Sequence, residues 1–304
     1  MRFLLLILCF LAPSIFANEV NVYSYRQPFL VEPLFADFTE KTGVKVNVVF
    51  AKKGMAQRLL REGEHSPADL LLTTDISRLI ELQDNDLLQP VISTPLTKAI
   101  PSQYRSPDNL WFGLTTRVRN IFSSKLLGDI TFSYEDLADP KWRGKICTRS
   151  GKHPYNVALV ASMIAHHGEA ETKQWLQGFK ANLARKPQGN DRGQVQAIEQ
   201  NLCQLSLGNS YYFGNMLNDE KQKVWAQAVN INFPNQNNRG AHVNLSGVAL
   251  AKYAPNKTNA IKLMEYLVSE PAQQSYAHTN MEYPVRPGGT LSPLVASWGK
   301  FTAD

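Results

Sequence analysis

Apolar and polar residues alternate over Val20–Tyr25 (VNVYSY) and Val44–Phe50 (VKVNVVF). Consecutive strand residues point to opposite faces, so both stretches predict β-strands. Between them, Phe29–Lys41 (FLVEPLFADFTEK) carries apolar residues at helical spacing, and Gly43 suits the left-handed conformation that closes a helix. Met55–Glu62 predicts a second helix. Ala68–Thr73 (ADLLLT) is a continuous apolar run, as expected of a strand buried on both faces of a mostly parallel sheet. Strand, helix, strand, helix, strand within about 55 residues predicts an α/β sheet with crossover helices.

The pattern recurs further along. Trp111–Ser123 (WFGLTTRVRNIFS) reads as a long extended segment, Lys145–Thr148 as a short strand, and Pro154–His167 as a helix closed by Gly168. Arg192–Asn201 predicts a helix, Leu202–Leu207 a strand, and a further helix starts at Tyr211. Val243–Ala251 (VNLSGVALA) is again extended, and Asn259–Tyr276 is helical. The two long extended segments, near 113–123 and 240–251, bracket the central block. That layout suits one lobe inserted into another, with two strands crossing a hinge.

The N-terminus changes the picture of where the chain acts. Met1-Arg2 is a short basic start, Phe3–Ala12 is uninterrupted apolar sequence, and Ile15-Phe16-Ala17 precedes the polar Asn18-Glu19. This predicts a secretory signal peptide over residues 1–17, cleaved after Ala17 and leaving an exported, soluble chain. The apolar run is shorter than the ~20 residues of a spanning helix. Cys9 follows Leu8, where a lipoprotein site wants a small residue, so it reads as part of the signal. Two cysteines then remain, Cys147 and Cys203. In an oxidising compartment they are either a disulfide or two buried thiols.

A length of 304 residues suggests about two domains. With 43% apolar and 19% charged residues the chain can build ordinary cores, and it shows no internal repeat. Its net charge of +6 becomes +5 once Arg2 is removed (31 − 26). So modest an excess suits anionic ligands better than a nucleic-acid surface.

No nucleophile elbow, phosphate loop, dinucleotide fingerprint or H-E-x-x-H motif occurs, and the carboxylates form no recognisable acid–base pair, so no enzyme is expected. His166 and His167 are the only adjacent histidines, and beside Gly168 they suit a helix C-terminus. Tyrosine stands out instead. Tyr155 follows Pro154, a good first helical residue. Tyr211 and Tyr212 follow Gly208-Asn209-Ser210, a strand end running into a helix start with Ser210 as the cap. On a strand the pair would face opposite ways; at a helix start they diverge by about 100° and converge on one centre. As phenolates the three are hard oxygen donors of total charge −3, matched to a hard trivalent cation such as Fe³⁺. Arg26, Arg117 and Arg119 lie near strand ends, where they suit an accompanying anion. The same tyrosines also suit packing or stacking on a solute.

These residues resemble the periplasmic ferric-ion-binding proteins of ABC-type iron transporters. The likeness covers nearly the whole chain after residue 17: NVYSYRQPFLVEPLFADFTEKTGVKVNVVF (Asn21–Phe50), PADLLLTTDISRL (Pro67–Leu79), WFGLTTRVRNIFSS (Trp111–Ser124), KICTRSGKHPYN (Lys145–Asn156), LSLGNSYYFGNM (Leu205–Met216) and the tail from Leu245 to Ala277. The resemblance implies an α/β, two-lobed Venus flytrap, each lobe a mostly parallel sheet with flanking helices and two crossover strands at the hinge. Residues 18–117 plus 241–287 would form the first lobe and 118–240 plus 288–304 the second. It implies a receptor that captures Fe³⁺ in the interlobe cleft through Tyr155, Tyr211 and Tyr212. Delivery would be to an inner-membrane permease and its ATPase, with the receptor monomeric in the periplasm. Many members place a histidine, and some a further tyrosine, where this chain has Gln27 and Pro28. That departure resembles the branch using only tyrosines and completing the ion with carbonate or a similar synergistic anion. Arg117, Arg26 and Gln27, in that order, are the anion-holding candidates. Whether Tyr25 or His153 contributes is left open. The alternative is an organic or oxyanion solute on the same fold.

Overall fold

The structure, a computed structural model, describes residues 18–304; the predicted signal peptide, 1–17, lies outside the described residues. Nine strands occur among them: β1 (Glu19–Ser24), β2 (Lys45–Phe50), β3 (Leu70–Thr73), β4 (Trp111–Ser124), β5 (Ile146–Cys147), β6 (Leu205–Asn209), β7 (Val229–Asn232), β8 (Val243–Leu250) and β9 (Tyr283–Pro284). Their order is β2-β1-β3-β8-β4-β6-β5, with β7 and β9 also paired to β4.

The parallel character expected of the sheets is confined to β2-β1-β3 and β5-β6; the pairings of β4 and β8 are antiparallel. The physical reason is the hinge. β4 is a 14-residue strand whose first half, Trp111–Val118, pairs with β8 and whose second half, Arg119–Ser124, pairs with β6 and β7. β8 brings the chain back, so it runs against β4 and enters the first sheet from the opposite end. Strands joined by crossover helices stay parallel; strands joined through the other lobe need not.

Separate cores flank this seam. One packs Val22, Phe38, Leu71, Phe112 and Leu250; the others pack Ile121, Trp142 and Leu159, and Phe122, Val195 and Phe213. Between them lies a small cluster of Val118, Ala241, Met281, Tyr283 and Val295. The sulfurs of Cys147 and Cys203 are bonded, with Cα atoms 5.8 Å apart.

Helix boundaries differ from the expectations where local signals compete. The helix from Pro154 does turn at Gly168 (φ 76°, ψ 169°), but a second helical arm follows directly, to Ala181. Asn259–Tyr276 is two helices, Lys257–Leu267 and Glu270–Thr279, because Pro271 cannot extend the first and suits the opening turn of the second. No helix among the described residues is long and apolar enough to cross a membrane.

Candidate functional site

Pro154 opens the helix that carries Tyr155, and His153 caps it by accepting the Tyr155 N–H on Nδ1 at 3.3 Å. The Tyr155 hydroxyl lies 3.2 Å from that of Tyr211. Tyr211 and Tyr212 occupy the first turn of the helix Ser210–Leu217, and their ring centroids are 4.2 Å apart. Thus the structure brings together the three tyrosines named from sequence, on one wall of a cavity of about 500 Å³. The cap of the second helix is Asn209, one residue earlier than expected. Ser210 is committed elsewhere: its hydroxyl accepts the Val118 N–H of the crossover strand at 3.2 Å. Gly208 has its own role, since a Cβ there would stand 2.3 Å from the Phe122 ring.

Behind the tyrosines lies a network that the sequence did not disclose. Asp191, fully buried, accepts from Arg119 Nη1 at 2.6 Å, Arg149 Nη1 at 3.0 Å and the Asn209 N–H at 3.0 Å. Arg119 also donates to Asn209 Oδ1 (3.0 Å) and Asn156 Oδ1 (2.6 Å). It therefore joins the residue after Tyr155 to the residue two before Tyr211. Both its terminal nitrogens serve this network and it does not line the cavity, so it ties two helix starts together rather than facing an anion as first expected.

The same cavity holds two of the arginines expected to hold an anion, and Arg117 lies 5.9 Å from the centre of the Tyr155 ring. Arg26 and Arg117 are 1% and 2% exposed. Arg26 Nη2 donates to Glu282 Oε2 at 2.7 Å, and Arg117 Nη1 is 3.9 Å from Glu282 Oε1. Two further nitrogens on each guanidinium find no partner among the described residues. Unpaired buried donors are costly, and together they define a place for an acceptor. Gln27, exposed at the cap of the helix Pro28–Thr42, lines the same cavity. Tyr25 lines it too, but its hydroxyl accepts the Met55 N–H at 3.0 Å and its ring lies 3.7 Å below Arg78. His153 stands edge-on to Tyr155 with centroids 4.6 Å apart. Glu282 was missed because its partner Arg26 is 256 residues away and nothing local marks Glu282.

The bacterial extracellular solute-binding protein family matches residues 20–279. The chain belongs to this family. It is 45% identical over 292 residues to iron uptake protein A1 of Synechocystis, spanning 94% of this chain and 81% of that one. Ferric iron-binding protein A of Mannheimia haemolytica in an open conformation superposes with a TM-score of 0.89 at 56% identity, covering 95% of this chain and 92% of the other. A Trichodesmium protein in complex with iron and citrate ligands gives 0.89 at 41%, covering 94% and 92%. The fold is the two-lobed α/β fold of these binding proteins, with the cavity between the lobes.

In this solute-binding protein burial favours the protonated form of Tyr211 and Tyr212. Burial pushes the Tyr211 phenol well above its usual 10, reinforced by Tyr155 and Tyr212, while Arg117 opposes the shift. Tyr212 is raised by burial, then by Tyr155 and Asp191. His153 is lowered to about 4 by burial and by Arg149. Among the described residues no cluster of three or more His, Cys, Asp or Glu is placed to hold a metal. The oxygen donors that cluster at the two helix starts are phenols, and only a strongly polarising cation displaces their protons near neutral pH.

Proposed function

We propose that the chain is the receptor of an ABC iron transporter, capturing ferric iron in the cleft through Tyr155, Tyr211 and Tyr212. The observation that carries this reading is one cavity lined both by converging phenols and by buried arginines whose remaining donors have no partner among the described residues. Three phenolates balance the charge of Fe³⁺ and supply half of about six oxygen positions. Arg117, Arg26 and Gln27 hold a synergistic anion, carbonate or similar, which fills part of the rest together with water. Relatives named for ferric iron and iron uptake support the same cargo.

Residues 18–117 plus 241–287 form the first lobe and 118–240 plus 288–304 the second, with β4 and β8 as the hinge. The packing of Trp298 on Phe213 and of Phe301 on Phe233 supports the placement of the tail. The receptor reaches the periplasm through the signal peptide at 1–17, works as a monomer without catalysis, and releases iron at the inner-membrane permease and its ATPase when the lobes open.

The test is a visible absorption titration of metal-stripped protein with ferric citrate, with and without bicarbonate. Phenolate-to-iron charge transfer gives a broad visible band, expected to saturate at one iron per chain and to change with bicarbonate. Tyr211→Phe weakens iron binding by at least about a hundredfold, because outer-shell changes alone already cost 10–100-fold. A colourless wild-type protein would sink the iron reading in favour of an organic or oxyanion solute.

A further inference from the structure

The anion wall contains one charge that the proposed receptor function does not use. Glu282, 5% exposed, stands between the two buried guanidiniums. Its Oε2 accepts Arg26 Nη2 at 2.7 Å and the Thr115 hydroxyl at 2.8 Å; its Oε1 faces Arg117 Nη1 at 3.9 Å. The Thr115 hydroxyl is itself 2.6 Å from that of Ser246, so β4 and β8 hold the carboxylate from behind. Arg26 keeps Nε and Nη1 unpartnered, and Arg117 keeps Nε and Nη2. Two guanidiniums and one carboxylate leave one net positive charge. Each arginine therefore still offers hydrogen bonds, while the electrostatic demand of one is already met.

We infer that Glu282 sets the charge selectivity of the anion subsite, holding it at one net positive charge so that a small anion of the bicarbonate class is favoured over polycarboxylates. The inference takes the subsite from the receptor function proposed above, but the selectivity belongs to the metal-free pocket. In a partly buried site, one more unit of positive charge at about 6 Å strengthens binding by about tenfold or more for each negative charge on the ligand. Removing the Glu282 charge therefore favours a trianion far more than a monoanion. Lys52 and Arg192 also line the cavity, but they are exposed and half-buried. Their attraction is more strongly screened by salt than that of the buried pair.

The test uses isothermal titration calorimetry on metal-stripped protein at fixed pH and ionic strength, with bicarbonate and with citrate as ligands. Glu282→Gln keeps the shape of the side chain and is expected to raise citrate affinity relative to bicarbonate by about tenfold or more. The double variant Arg26→Gln/Glu282→Gln removes both members of the pair and leaves Arg117 as the single uncompensated charge. Its affinities fall, but its citrate-to-bicarbonate ratio returns to the wild-type value. An unchanged ratio in Glu282→Gln, or a shift that persists in the double variant, overturns the inference.

Removing one partner of a buried ion pair destabilises a protein more than removing both. If Glu282→Gln does not fold, Arg26→Gln decides instead: Glu282 then cancels Arg117, so a citrate-to-bicarbonate ratio lowered by about tenfold or more supports the inference and an unchanged ratio overturns it. The visible band of the wild-type protein with iron and bicarbonate reports on the receptor reading separately. Its absence alongside a shifted ratio would remove the iron and leave the role of Glu282 standing.

Discussion

A tyrosine becomes a strong oxygen ligand only when its proton leaves, and burial around Tyr211 and Tyr212 holds those protons in place. Iron binding is therefore also an exchange of protons for a cation. Apparent affinity should fall as pH falls, by about tenfold per pH unit for each proton released. Stoichiometry of proton release, measured in weakly buffered solution, checks this; no release on saturation would remove the phenolates from the site. Acid stability draws on a different residue, alongside His153. His242, which begins the return to the hinge, is lowered from 6.5 to about 4 by burial, with Arg119 and Arg239 adding to the effect and Asp304 opposing it. Its folded value lies below its unfolded one. The stability it confers is thus complete above 6.5 and drains away as pH falls from 6.5 to about 4. Urea midpoints of metal-free protein across that window should show a smaller slope in His242→Gln.

At the scale of elements, the two helix starts that carry the tyrosines are joined by one side chain. Arg119 reaches Asn156, Asn209 and Asp191 at once. Arg119→Met leaves Asp191 buried with fewer partners and should cost about 3–5 kcal/mol in urea unfolding of the metal-free protein. It should also weaken iron binding by about 10–100-fold through misplaced phenols. A variant that loses stability but keeps the wild-type iron affinity and band would show that the bridge does not position the tyrosines. The helix starts themselves were legible, because Pro154 and the Gly208–Ser210 turn act on their own neighbours in sequence. The bridge was not. Asp191 and Arg119 are 72 residues apart; Asp191 reads alone as an ordinary charge and Arg119 as an anion candidate, and nothing local pairs them.

Across the whole molecule, the central block is stapled by Cys147–Cys203, closing a loop 56 residues apart in sequence that contains the Tyr155 helix. Constraint of the unfolded chain by a loop of that length is worth about 4 kcal/mol. Cys147→Ser/Cys203→Ser should lower the urea stability by about that amount, and an unchanged midpoint would mean the bridge is absent in solution. The alternating stretches and the helix starts that carry the three tyrosines were readable from sequence, because each rests on periodicity or on neighbours within a few residues. Sequence by itself thus determined which segments become strands and helices and which phenols stand at helix starts. Tertiary structure alone decided the antiparallel seam of β4 and β8, the meeting of Tyr155 with Tyr211, and the pairing of Arg26 with Glu282 across 256 residues. Each joins segments far apart in the chain, and local periodicity carries no information about distant partners.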